Sequence, residues 1–177
     1  FDWFVKKDKK NSEFLKKEFN SLFEPLLKNI ELIPKVFIHR DYHVDNLFYL
    51  KERSEHFKCG WIDYQDALIG PCVYDLVSLT QDARIDVSLE IEKHLVDTYL
   101  SNFNFIDKSL FDLCYKIVAI QRHLKVLGIF KRLFLRDKKK IYLNHIPRVI
   151  SLLDKNFKDE KFKEIVRLIQ PIIKNYD

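Results

Sequence analysis

Apolar positions along the chain fall into three textures. Phe14, Leu15, Phe19, Leu22, Phe23, Leu26, Leu27 and Ile30 recur at three- and four-residue spacing. This predicts an amphipathic helix, with Ser12 as its cap and a kink or restart at Pro25. Three short apolar runs follow, Val36-Phe37-Ile38, Leu47-Phe48-Tyr49-Leu50 and Cys59-Gly60-Trp61-Ile62, each bounded by polar or turn residues. They read as short strands around a small sheet, with the polar stretch from Lys51 to Lys58 as a hairpin connection. From Pro71 onward the helical spacing resumes and predicts helices over 71–84, 88–102, 108–135, 143–156 and 159–175. Pro71 suits a first helical turn, and Ser88 and Asp107 are placed to cap the helices that follow them. The predicted class is α+β, mostly helical, with one small β element carried by a helical block.

Composition narrows this picture. A chain of 177 residues that is 47% hydrophobic supports one well-packed core, so a single domain over residues 1–177 is expected. The only glycines are Gly60, Gly70 and Gly128, and neither a linker, a low-complexity segment nor an internal repeat is visible. No apolar run approaches the roughly 18 to 20 residues that span a bilayer. The start Phe1-Asp2-Trp3-Phe4 lacks a charged-then-apolar signal layout, so a soluble, cytoplasmic protein is expected. Cys59, Cys72 and Cys114 have no paired spacing, which argues against a disulfide framework or a zinc site and for buried free thiols. The net charge of +5 comes from 31 basic and 26 acidic residues, interleaved. The densest runs, Lys6-Lys7-Asp8-Lys9-Lys10 and Lys138-Lys139-Lys140, read as solvated turns, so neither nucleic acid nor a membrane is an expected partner.

The chemistry is concentrated in His39-Arg40-Asp41-Tyr42-His43-Val44-Asp45-Asn46, a polar loop between two strand-like runs. Phosphoryl transfer from a nucleotide asks a protein for a carboxylate that orients the attacking hydroxyl and for ligands that hold magnesium on the phosphates. Asp41 would be the base, and Asn46, five residues on, would place its amide oxygen on a metal. A second ligand is needed, and Asp63, just past Trp61-Ile62, would be delivered beside the loop by the returning strand. Four fixed loop positions in a chain of this length arise by chance about once per thousand sequences. A magnesium-dependent hydrolase built on Asp41, Asp45 and Asp63 is a further reading; it leaves Asn46 and the strands without a role.

These residues resemble a known family. His39 to Asn46 is similar to the catalytic loop of the aminoglycoside-phosphotransferase and choline-kinase group of the protein-kinase-like fold, and Ile62-Asp63 to its metal-binding aspartate. Trp61 to Ala67, Gly70-Pro71, Tyr74 to Leu79, Gln121 to Phe130, Tyr142-Leu143 and Ile146-Pro147-Arg148 resemble, within it, the bacterial anomeric kinases for N-acetylmuramate and N-acetylglucosamine. The resemblance runs from about Val36 to Leu153. It implies a kinase C-terminal lobe that moves the γ-phosphoryl group of ATP to a sugar hydroxyl with Mg2+, and it makes Asp75 the aspartate that anchors the catalytic loop. It also implies a partner in the N-terminal nucleotide lobe, which has no counterpart before Phe1. A kinase-like module that binds without transferring phosphate is the alternative from another class.

Other polar residues keep more than one reading. His39 and Arg40 support the loop in this resemblance, and His39 more readily does so by hydrogen bonding than by reacting. His43 would face the acceptor sugar or be a solvated loop histidine. Asp45 adjoins the metal ligand but points elsewhere in an extended loop. Gln65 and Asp66 would bind substrate, order the loop or cap the next helix. Arg122 and Lys125, one turn apart on a long helix, would suit an acidic sugar or a phosphate, or form a solvated face.

Overall fold

The computed structural model describes residues 9–102 and 107–174. Ten main elements run in the order α1 (Lys9–Ile30), β1 (Lys35–Ile38), β2 (Leu47–Tyr49), β3 (Cys59–Trp61), β4 (Leu68–Pro71), α2 (Tyr74–Thr80), α3 (Leu89–Ser101), α4 (Lys108–Leu135), α5 (Ile146–Asn156) and α6 (Lys163–Lys174). The fold is mostly helical with two small sheets. The chain forms two compact units, Glu31–Val118 in one and Phe1–Ile30 with Ala119–Asp177 in the other. Among the described residues no helix is long and apolar enough to cross a membrane.

The 31–118 unit holds all four strands. β2 and β3 form the expected hairpin, Leu47 opposite Trp61 and Tyr49 opposite Cys59, closed at its tip by Leu50 N donating to Lys58 O at 2.7 Å. β1 pairs instead with β4, antiparallel, from Lys35 opposite Pro71 to Ile38 opposite Leu68. A Cβ on Gly70 would lie 2.4 Å from Ile38 Cδ1, so any larger residue there would push the buried Ile38 side chain aside. Below the strands, Val73, Val77, Phe111, Cys114 and Ile117 form a buried core. It encloses a polar cluster in which Tyr115 OH donates to Glu92 Oε1 at 3.0 Å and Gln81 Nε2 donates to the same oxygen at 3.0 Å. Burial beside the Glu92 carboxylate pushes the Tyr115 hydroxyl pKa well up.

In the other unit α1 packs on α6, whose Ile165, Ile169 and Ile173 repeat every four residues and are buried. That spacing keeps one helix face apolar. Phe130 stacks near Tyr142 and His145, with ring centroids 5.3 and 5.8 Å away.

Several sequence expectations are corrected here. α1 already includes Lys9, so Ser12 lies inside the helix and does not cap it; the helix also runs on through Pro25. Pro71 ends β4 rather than opening a helix, and α2 is a short helix from Tyr74 to Thr80. The 143–156 helix splits into a 3-10 turn over Lys140–His145 and α5, and a 3-10 turn over Glu160–Phe162 precedes α6. Cys59 is exposed, while Cys72 and Cys114 are buried. Ser88 does cap α3, its hydroxyl accepting from Ile91 N at 3.2 Å, and Asp107 Oδ1 accepts from Leu110 N at 2.8 Å. Lys138, Lys139 and Lys140 lie exposed in a turn. Lys6 to Asp8, Phe1 to Phe4 and the last residue of the 159–175 helix lie outside the described residues.

Candidate active site

β1 delivers the chain to the polar loop, and α2 holds the loop from the side. The Asp75 carboxylate accepts from His39 N at 2.6 Å through Oδ2 and from Arg40 N at 3.0 Å through Oδ1. Two donors on one half-buried carboxylate fix the backbone where β1 ends. Arg40 stands there with φ 76°, a left-handed conformation that a side chain with a Cβ adopts only under constraint. Its guanidinium Nη1 donates to Asp66 O at 3.2 Å. His39 is 1% exposed and its Nε2 donates to Ile62 O at 2.8 Å, tying the start of the loop to the end of β3.

Within the loop Asp41 O accepts from His43 N at 3.1 Å and from Asn46 Nδ2 at 2.9 Å. The Asp41 side chain is exposed, whereas Asn46 is buried. Asn46 Nδ2 also lies 3.5 Å from His43 Nε2, and Asn46 Oδ1 makes no hydrogen bond among the described residues. His43 is buried, which removes the solvated-loop alternative. Burial lowers its pKa below the ordinary 6.5, the Arg84 charge adding to the effect and Asp82, Asp45 and Asp41 opposing it. Tyr42, next to Asp41, has its hydroxyl pushed up to about 12, mainly by burial and also by its contact with Cys59.

The hairpin joins the second carboxylate to this loop. Ile62 N donates to Asn46 O at 3.1 Å, extending the β2–β3 register by one pair, so Asp63 follows the residue bonded to Asn46. Asp63 has φ 67°, which ends the strand; aspartate tolerates the left-handed region better than most residues. Its exposed carboxylate accepts from Gln65 Nε2 at 2.7 Å through Oδ1. The chain thus brings Asp41, Asn46 and Asp63 to one end of the hairpin, with His39, Arg40 and Asp75 as supports. Gln65 lies against Asp63, and Asp66 offers its backbone to Arg40. Asp45 is exposed, its Oδ2 3.7 Å from His43 Nδ1. Arg122 lies on α4 in the other unit.

A cleft of about 590 Å³ flanks the loop on its anchoring side, with Phe37, Trp61 and Leu76 as apolar walls beside His39, Tyr42 and Asp75. Asp41, Asn46 and Asp63 are not among the residues that line it. Among the described residues no three His, Cys, Asp or Glu side chains converge to cage a metal ion. Asn46 and Asp63 offer two oxygen donors, which fits magnesium: that ion keeps waters and substrate phosphates as its other ligands.

Sequence reasoning did not single out Asp82, a buried aspartate two residues past α2. The available signal was an acidic residue set among apolar and small neighbours, Val77-Ser78-Leu79-Thr80-Gln81-Asp82-Ala83.

A two-strand hairpin thus closes on an Asp/Asn loop whose backbone is held by the Asp75 carboxylate of α2. Residues 4–107 match the phosphotransferase enzyme family APH, and the chain belongs to that family. It is 36% identical over 148 residues to an N-acetylmuramate/N-acetylglucosamine kinase of Caulobacter vibrioides, covering 84% of this chain and 41% of that protein. It is 38% identical over 164 residues to the protein so named in Neisseria meningitidis serogroup B, covering 86% and 46%. For the Pseudomonas aeruginosa protein of the same name the identity is 35% over 127 residues, covering 68% and 36%. The chain therefore spans less than half the length of the curated relatives it matches.

Proposed function

We propose that this chain is the catalytic-loop lobe of an ATP-dependent kinase for an amino sugar, N-acetylmuramate or N-acetylglucosamine. The reading rests on one observation above the others: the Ile62–Asn46 hydrogen bond that seats Asp63 beside the Asp41–Asn46 loop in a chain of the phosphotransferase family. The exposed Asp41 carboxylate is open to an acceptor hydroxyl. It orients that hydroxyl and takes its proton as the oxygen bonds to the γ-phosphorus and the bond to the ADP oxygen breaks. Asn46 Oδ1 and the Asp63 carboxylate would hold Mg2+, which when bound neutralises phosphate charge. Gln65 steadies Asp63, and Asp75 with His39 and Arg40 keeps the loop in register, so most of the rate gain is alignment. Such a kinase uses cytoplasmic ATP, and its nucleotide lobe would come from sequence outside this chain.

The test is to follow label from [γ-32P]ATP into N-acetylmuramate and N-acetylglucosamine with the full-length protein of the same gene. Labelled sugar phosphate formed with magnesium and lost with EDTA is the expected result. ATP binding without transfer to either sugar would favour a binding module and overturn the substrate assignment.

A further inference from the structure

The His39 ring holds a nitrogen that no protein donor satisfies. Its Nε2 donates to Ile62 O at 2.8 Å, while Nδ1 is buried and makes no hydrogen bond among the described residues. A neutral imidazole that donates through Nε2 keeps a lone pair on Nδ1, so this nitrogen is an acceptor. Leaving a buried acceptor without a donor is costly, and such atoms are rare in folded proteins. The ring is 1% exposed and forms part of the wall of the cleft of about 590 Å³.

The rest of that wall says which donor fits. The volume lies within the range of about 300 to 1,000 Å³ usual for small-molecule sites. Phe37, Trp61 and Tyr99 also line the cleft, and the Trp61 ring centroid lies 5.5 Å from that of His39 and 5.6 Å from that of Phe37. Aromatic walls so placed favour a flat aromatic guest. Among the described lining residues there is no Lys or Arg, whereas Asp75 brings a carboxylate, so the cleft disfavours an anion. Tyr42 flanks the His39 ring with centroids 5.8 Å apart, and its hydroxyl contacts Cys59 Sγ at 3.8 Å. Sulfur is a weak hydrogen-bonding partner, so the Tyr42 ring gives way at little cost to a guest that reaches Nδ1.

We propose that this cleft is a binding site for a neutral aromatic heterocycle with one N–H donor, which packs against Trp61 and donates to His39 Nδ1. Its occupant touches the supports of the catalytic loop: His39 and Tyr42 on either side of Arg40 and Asp41, and Asp75, which holds the backbone of His39 and Arg40. Binding there does not depend on the kinase reading.

The test is isothermal titration of the full-length protein with indole, 3-methylindole and 1-methylindole, the last of which has no N–H. Indole should bind with a Kd at or below about 1 mM. 3-Methylindole should match it, and 1-methylindole, of the same bulk, should bind roughly 3- to 10-fold more weakly than 3-methylindole. Thr98 lines the cleft from α3 and is exposed, so Thr98→Trp should fold, fill the space and abolish indole binding. Saturating MgATP should leave indole bound. No indole binding at about 5 mM, equal affinities for the two methylindoles, or displacement of indole by MgATP would each overturn the proposal. An unchanged indole affinity in a folded Thr98→Trp would do the same by placing the ligand elsewhere. If that variant fails to fold, the methylindole pair still decides.

Discussion

Replacing Asp75 removes the acceptor for two backbone donors at once. His39 N and Arg40 N sit 2.6 and 3.0 Å from its carboxylate oxygens, and His39 is 1% exposed, so water cannot readily take over. Hydrogen bonds to an ionised group contribute about 1.5 to 3 kcal/mol each. Asp75→Asn keeps one acceptor and turns an amide N–H toward the other donor, so it should cost about 1.5 to 3 kcal/mol. Asp75→Ala loses both bonds and should cost about 3 to 5 kcal/mol, a large share of the 5 to 15 kcal/mol typical of a folded domain. Equilibrium urea unfolding of the three proteins, read by tryptophan fluorescence and far-UV dichroism, gives the differences from midpoints at constant slope. The order wild type, Asn, Ala is the expected result. Two variants within about 0.5 kcal/mol of the wild type, the range of ordinary surface changes, would refute the claim that this carboxylate holds the loop.

Arg40, at φ 76°, should tolerate glycine better than alanine: both lose the Asp66 contact, but only glycine relieves a left-handed strain of about 1 to 2 kcal/mol, and their urea midpoints should differ accordingly. Gly70→Ala places a Cβ 2.4 Å from Ile38 Cδ1 and should lower stability by about 1 to 3 kcal/mol, checked by thermal melting. His123 is buried in the 119–177 unit and its pKa falls to about 3, first through burial and then through Arg122 and Lys155. The unfolded ring therefore binds the proton first as pH drops. Its contribution is full above pH 6.5 and is lost as pH falls from there toward about 3; His123→Gln should flatten that part of a stability-against-pH curve.

Local pattern made part of this architecture readable. The β2–β3 hairpin shows as two apolar runs around a polar stretch, because its partners are close in sequence. β4 does not show: Leu68-Ile69-Gly70-Pro71 pairs with a strand thirty or more residues upstream, and the proline beside a long helical pattern reads as a helix start. The start of α1 before Ser12 also escapes a reading that relies on cap chemistry. In the site, the spacing of Asp41, Asn46 and Asp63 singles those residues out. It does not carry the left-handed turns at Arg40 and Asp63, which arise from contacts with Asp75 and Asp66 and from the end of the hairpin. The link from Asp75 to the loop spans 36 residues, and only the resemblance to a family pointed to it. Asp82 stayed hidden because a lone acidic residue after a helix reads as a solvated turn until its burial is known.

The most direct test of the central claim is single-turnover transfer from ATP to N-acetylmuramate and N-acetylglucosamine by the full-length protein and its Asp41→Asn variant, with ATP affinity measured separately. A positioned carboxylate base contributes about 10²- to 10⁴-fold. The rate of sugar phosphorylation should fall by that much in Asp41→Asn while ATP binding stays within about twofold, since Asn46 and Asp63 are untouched. Transfer at the wild-type rate in that variant would contradict the assignment of Asp41, and with it the account of this loop as the seat of phosphoryl transfer.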